Sequence, residues 1–170
     1  RENAGVVVGI KISDRSNSAV VLDMAGNLLG SASLPAPPSA RSTEEVLSEA
    51  EQIVAAGLAD AGMHTGMHTG GQTEGQTGEA LPPITIALGL PGMVDFTLGR
   101  VLWCPFMEDS DIPLRDLLQN RLRVPVRIDN DANLLALAEL WFGEGRALDN
   151  FAVVSIEHGL GMGVVIRHQL

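Results

Sequence analysis

The sequence predicts an α/β domain, a mixed five-stranded sheet layered with helices. Three observations carry that expectation. Short apolar runs at 6–12, 19–24 and 28–34 follow one another with only turn chemistry between them. Two further apolar runs, 84–90 and 124–128, each come after a stretch of helical periodicity. With 170 residues, 45% of them hydrophobic, the chain suits about one domain with its own core.

The first three runs read as an antiparallel meander, because Ser13 to Ser18 and Ala25-Gly26-Asn27 offer turn residues, Gly and Asn tolerating positive φ. Pro35-Ala36-Pro37-Pro38 cannot continue a ladder, since proline donates no hydrogen bond. Ser42-Thr43-Glu44-Glu45 then offers a capping box. Behind it Val46, Ala50, Ile53, Val54 and Leu58 recur at helical spacing, predicting a helix over 43–61 that covers one face of the sheet. Residues 62–82, with the repeat Met63-His64-Thr65-Gly66-Met67-His68-Thr69-Gly70, read as a low-complexity mobile loop. His64 and His68 have a metal-ligand spacing only on a helix, which the glycine between them disfavours, so no metal site is expected.

The run 84–90 reads as a central strand buried on both faces and stopped by Pro91-Gly92. Residues 93–96 and 100–103 form a small hairpin around Thr97-Leu98-Gly99. Pro113 opens a helix with the apolar stripe Leu114, Leu117, Leu118 and Leu122. A short strand, 124–128, runs into Asp129-Asn130-Asp131-Ala132-Asn133, and a last helix with Leu134, Leu137, Ala138 and Trp141 on its apolar face ends at Gly143. Residues 151–156 and 163–166 close the chain as a hairpin around a glycine-rich turn, with 164–166 left as an unpaired edge.

Composition narrows the function. Eleven basic and 21 acidic side chains give a net charge of −10 and a pI near 4.7, which argues against direct binding to a nucleic-acid backbone. The mean hydropathy of +0.18 excludes a disordered chain, and no apolar run approaches the ~20 residues of a membrane-spanning helix. A single cysteine, Cys104, excludes an intramolecular disulfide and a cysteine-type metal cluster and fits a reducing cytoplasm. The chain opens at Arg1 without an initiator Met or a signal-like stretch, so it is expected to be a fragment of a longer protein. In layered sheets ligands gather at the carboxyl ends of the strands. Here those ends are Pro91-Gly92 and Asn130-Asp131.

The same residues carry a family resemblance. Leu90-Pro91-Gly92-Met93-Val94-Asp95 with Gly99 and Val101, then Pro125-Val126 leading into Asn130-Asp131-Ala132-Asn133, with Ala138-Glu139 and Phe142-Gly143, resemble the ROK family of bacterial sugar kinases and sugar-responsive repressors. The resemblance implies an actin-like, ribonuclease H-like ATPase fold of two lobes, residues 1–150 being the N-terminal lobe and 151–170 the first strands of a truncated second lobe. The parent protein would carry a winged helix-turn-helix ahead of Arg1, through which alone it would meet DNA. Its second lobe would add Glu and His sugar contacts and a structural zinc site. It would act as a homo-oligomer, and no cofactor is expected in this chain.

Kinases of the family place a phosphate-binding loop of the type Asp-x-Gly-Gly-Thr-Lys between the first two strands. In register this sequence has Lys11-Ile12-Ser13-Asp14-Arg15-Ser16, with Lys11 for the acidic residue and Ser13 and Asp14 for the glycines. Such a loop is not expected to cradle phosphates in the kinase manner. A second glycine-rich turn, His158-Gly159-Leu160-Gly161-Met162-Gly163, survives as a degenerate nucleotide-binding segment in Gly159, Gly161 and Gly163. Glu157-His158 and Pro105-Phe106-Met107-Glu108-Asp109 are similar to the repressor branch, which includes N-acetylglucosamine and glucose-responsive repressors.

Each candidate residue has a functional and a structural reading. By resemblance Asp131 is the general base of a kinase or a sugar-hydroxyl contact; structurally it is a helix N-cap. Asn130 offers a donor and an acceptor to a sugar diol, or is a turn residue before the helix. Gly92 lets backbone approach a sugar, or simply ends a strand. Asp95 is an exposed hairpin carboxylate or an interlobe contact. Trp103 stacks on a sugar or, as is commoner for a lone Trp, belongs to the core. Cys104 is expected to pack, and Arg121, Arg123 and Arg127 to form a solvated basic face. The expected function is the effector-sensing, non-catalytic lobe of a ROK-type repressor. The alternatives are an ATP-dependent sugar kinase with divergent phosphate loops and a protein-binding scaffold lobe.

Overall fold

Val6, Val8 and Ile10 point alternately inward along β1 (Val6–Lys11), and this strand organises the sheet. It pairs antiparallel with β2 (Ser16–Asp23) on one side and parallel with β4 (Ile84–Leu90) on the other. β2 continues antiparallel to β3 (Leu28–Pro35), and β4 parallel to β7 (Val126–Asn130), giving the five-stranded order β3-β2-β1-β4-β7. The computed structural model describes residues 5–63, 84–156 and 159–170. Most of the 62–82 loop, with His64 and His68, lies outside the described residues, as do Glu157 and His158.

The parallel pairings need crossovers, and helices supply them. α1 (Thr43–Asp60) starts at the expected capping box, Ser42 and Glu45 each accepting from the other's backbone N–H, and buries Val46, Leu47, Ala50, Ile53, Val54 and Leu58. α2 (Leu114–Leu122) lies beside it and ends where Arg123 enters the left-handed region. Between β4 and α2 the chain makes a hairpin of β5 (Met93–Asp95) and β6 (Arg100–Trp103). α3 (Asp131–Phe142) follows β7 directly, a 3-10 turn spans Glu144–Ala147, and the chain closes with the hairpin β8 (Asn150–Ile156) and β9 (Leu160–Ile166).

Four expectations need correction. β2 begins at Ser16 rather than Ala19, because the inward side chain of Asn17 is satisfied: it donates to Glu49 and accepts from the Ser13 N–H. β7 is shifted two residues toward Asn130, Pro125 contributing only its carbonyl, which accepts from the Ile86 N–H. β4 is covered on both faces only toward its carboxyl end: Ile86, Leu88 and Leu90 join the core on one face, while on the other Thr85 is exposed, Ala87 half-buried and Gly89 buried. Gly89 on that second face gives room to Leu134 of α3, whose Cδ1 lies 2.8 Å from where a Cβ would sit.

The last correction concerns α3. Its buried residues are Ala132 and Ala136, whereas the expected stripe is only half covered and Trp141 is 66% exposed. α3 packs on β9 through small residues on both sides. A Cβ on Gly163 would stand 2.5 Å from the Ala132 carbonyl oxygen, and one on Gly161 would stand 3.0 Å from the Ala132 Cβ. The basic face also divides: Arg121 reaches back to Glu44 and Glu51 of α1, while Arg123 and Arg127 are exposed.

Gly30 marks the tightest approach of β3 to the end of α1, an added Cβ falling 2.5 Å from the Ala61 backbone nitrogen. Gly30→Ala is therefore expected to destabilise the protein by about 1–3 kcal/mol, read as a lower midpoint in urea denaturation with an unchanged slope.

Candidate functional site

The carboxyl ends of β4 and β7 open into a cavity of about 510 Å³, a size suited to a small ligand. Its floor is Pro91-Gly92 and Asn130-Asp131. One wall is the β1–β2 turn, at Ser13 and Asp14. A second is apolar, with Met93, Trp103 and Phe106, and the β8–β9 hairpin closes the remaining side with Ser155 and 159–161.

Asn130 joins the two strand ends. Its side-chain oxygen accepts from the backbone N–H groups of Ala132 and Asn133 at 2.8 and 3.3 Å, so Asn130, not Asp131, caps α3. Its Nδ2 donates to the Gly92 carbonyl at 2.7 Å. An amide oxygen has two lone pairs and both are used, leaving one N–H to offer a ligand. Asp129 supports the turn from behind, accepting from the Asn130 N–H and from Asn133 Nδ2 at 2.7 and 3.0 Å.

Gly92 has φ +117°, and a Cβ there would lie 2.2 Å from the Trp103 carbonyl oxygen. Only glycine allows this turn to pack on the end of β6. Asp131 is the first residue of α3, where the helix dipole favours a carboxylate, and Lys11 Nζ approaches its Oδ2 at 3.8 Å. Thus the last residue of β1 brings a cation to the carboxylate on the cavity floor.

The β1–β2 turn is closed upon itself. Ser13 Oγ donates to the Ser16 carbonyl at 2.6 Å and accepts from the Ser16 N–H at 3.3 Å, while the Ser13 N–H donates to Asn17 Oδ1 at 3.3 Å. The Ile12 N–H donates to the Gly89 carbonyl at 3.1 Å. The amides of Ile12, Ser13 and Ser16 are thus already committed.

The remaining candidates separate clearly. Gly159 and Gly161 line the cavity, but Gly163 does not; it serves the contact of β9 with α3. Asp95 accepts from the Leu98 N–H at 2.9 Å and so shapes the β5–β6 turn. Trp103 is 53% exposed beside the cavity, against the expectation of a core residue: β6 lies over the core only through Val101. Cys104 is buried, as expected for packing, and burial pushes its thiol up to about 11. Sequence reasoning missed Arg41, Glu49 and Asn17, which lie behind the β1–β2 turn. Only Asn17 left a trace, as a polar residue beside an alternating apolar run.

This arrangement, a mixed sheet whose parallel strand ends hold an Asn-Asp pair at a helix start, is that of a lobe of the actin-like ATPase fold. The ROK family model matches residues 71–170, and the chain belongs to the ROK family. It is 39% identical over 85 residues to a xylose repressor from Caldicellulosiruptor bescii, covering 50% of this chain and 21% of that protein. It is 26% identical over 166 residues to a glucokinase from Streptomyces coelicolor, covering 98% of this chain and 45% of that one. The structure of a ROK family glucokinase from Streptomyces griseus, in complex with glucose and AMPPNP, superposes with a TM-score of 0.72 at 26% identity, over 97% of this chain and 46% of that one. The chain therefore spans less than half the length of these relatives.

Three outcomes test this geometry. Asn130→Ala, losing both the α3 cap and the Gly92 tether, is expected to cost about 2 kcal/mol in urea denaturation, and Asn130→Asp to recover the capping share alone. Cys104 is expected to resist iodoacetamide at pH 8 until the protein is denatured. Folding keeps this thiol protonated, so its contribution to stability is complete below pH about 9 and is lost as the pH rises from there to about 11, visible in denaturation midpoints.

Proposed function

We propose that this chain is the effector-sensing lobe of a ROK-type transcriptional regulator that binds a sugar in the cavity over Gly92, Asn130 and Asp131 without transferring phosphate. The β1–β2 turn carries this reading. A phosphate cradle needs backbone N–H groups turned toward the ligand. Here those of Ser13 and Ser16 go to Asn17 Oδ1 and Ser13 Oγ, and Lys11 stands against Asp131. The apolar wall of Trp103 and Phe106 opposite the polar floor suits a sugar ring, one face stacking while the hydroxyl edge meets Asn130 and Asp131. The similarity to xylose repressors supports the same reading. DNA would then be met by a helix-turn-helix elsewhere in a homo-oligomeric, cytoplasmic parent protein, sugar binding shifting lobe closure and so the spacing of the DNA-binding arms.

The second reading is an ATP-dependent sugar kinase. It is favoured by the carboxylate of Asp131 at the cavity floor, where a general base would meet a sugar hydroxyl, and by the similarity to glucokinases along 98% of the chain. Calorimetry of the full-length protein with D-xylose, D-glucose and N-acetyl-D-glucosamine, with and without Mg-ATP, separates the two. Sugar binding that is indifferent to ATP, with no ADP formed, is expected. ATP-dependent phosphorylation that disappears in Asp131→Asn would overturn the regulator reading.

A further inference from the structure

We infer that Arg41 is a positioning residue for this cavity, one buried guanidinium fixing two facing walls from behind. The ligand in its test rests on the sugar-site reading above; the positioning itself is read from the side chains around Arg41.

Arg41 lies between the proline-rich segment and α1, and it is 1% exposed. Its Nη2 donates to the Ser13 carbonyl at 2.7 Å, and its Nη1 donates to Glu49 Oε2 on α1 at 2.5 Å. That same carboxylate oxygen accepts from Asn17 Nδ2 at 2.6 Å, while Asn17 Oδ1 takes the Ser13 N–H. Ser13, the first cavity-lining residue of the β1–β2 turn, is thereby gripped at both its N–H and its carbonyl. On the other side the guanidinium stacks 3.9 Å from the centre of the Phe106 ring, and the Arg41 backbone N–H donates to the Phe106 carbonyl at 2.9 Å. Ser13 and Phe106 both line the cavity, so the distance between its turn wall and its apolar wall is set through Arg41.

Stability alone is a poor account of this ion pair. Arg41 Nε and Glu49 Oε1 are buried without a hydrogen-bond partner among the described residues, so the pair is incompletely satisfied. Desolvating such a pair commonly costs as much as its attraction returns, and an apolar pair of similar volume would fold as well. What the apolar pair would lack is the geometry. A planar fork stacks on an aromatic ring while its two ends reach a carbonyl and a carboxylate, which neither Lys nor Met can do.

The test uses the full-length protein and the double variant Arg41→Met with Glu49→Met, which removes both charges and leaves no buried carboxylate unpaired. Thermal unfolding reports the fold, hydrogen exchange reports residues 13–17 and 105–108, and calorimetry with D-xylose, D-glucose and N-acetyl-D-glucosamine reports the cavity. The expected result is a midpoint lowered only as far as the loss of the Glu49 acceptor for the buried Asn17 amide accounts for, exchange about tenfold faster in those two segments only, and affinity for the bound sugar about tenfold weaker. Wild-type exchange and wild-type affinity in the double variant would overturn the proposal. If the wild type binds none of D-xylose, D-glucose and N-acetyl-D-glucosamine, the sugar-site reading fails while the exchange measurement still decides the role of Arg41. If the double variant does not fold, Arg41→Lys carries the test. It keeps a cation beside Glu49 but loses the fork, so faster exchange and weaker binding support positioning, and wild-type behaviour overturns it.

Discussion

The amide of Asn130 is the constraint on which the cavity depends. β4 and β7 are parallel, so both finish at the same end of the sheet, but parallel pairing alone does not dictate what the chain does after it leaves the ladder. After Leu90 it turns away through Gly92; after Asn130 it enters α3 at once. One side chain reconciles these departures, its oxygen terminating the helix and its nitrogen holding the Gly92 carbonyl. Asp131 is placed as a consequence. It follows the cap, so its carboxylate stands at the helix start over the cavity floor, Oδ1 accepting from the Ala132 N–H at 2.9 Å and Oδ2 facing Lys11.

The opposite wall obeys a different logic. β1 is fixed by partners on both edges, Ile10 and Lys11 facing Ala19 and Ser18 on one side and Leu88 and Gly89 on the other. The turn that follows is therefore delivered to the same place whatever its sequence. With glycines there, its amides would be open to a ligand. With Ser13 and Asn17 there, their side chains take up the amides of Ser16 and Ser13, and Lys11 adds a cation beside Asp131. The chemistry at this wall is set by the turn residues and not by the sheet, so one fold can carry different functions.

Elements with a strong periodic pattern were legible in the sequence, and so was the position of the cavity. Val46 to Leu58 specified α1, Ser42 and Glu45 specified its start, and Pro91-Gly92 and Asn130-Asp131 marked the strand ends. The errors share a cause, namely long-range compensation. Ser16 to Ser18 look like a turn until Glu49, 32 residues beyond Asn17, satisfies the inward amide. Trp103 looks like core until the register of β6 leaves it beside the cavity. The Leu134 to Trp141 stripe looks like the packing face of α3, but Gly161 and Gly163 draw the alanine face inward instead. Arg41 left no local signal at all, because its partners come from the β1–β2 turn, α1 and the segment after β6.

The net charge of −10 keeps the surface acidic, yet the charged groups nearest the cavity are few and individually placed. Lys11 meets Asp131 in front of the sheet, and Arg41 meets Glu49 behind the turn. The first pair is partly exposed, so solvent screens it and it can yield to a ligand; the second is buried, so breaking it would strand a charge. A ligand entering the cavity would therefore meet the Lys11–Asp131 pair as adjustable at the floor and the Arg41–Glu49 pair as rigid behind the wall. Such a division lets the floor respond to what is bound while the walls keep their spacing, and it requires no movement of the five-stranded sheet.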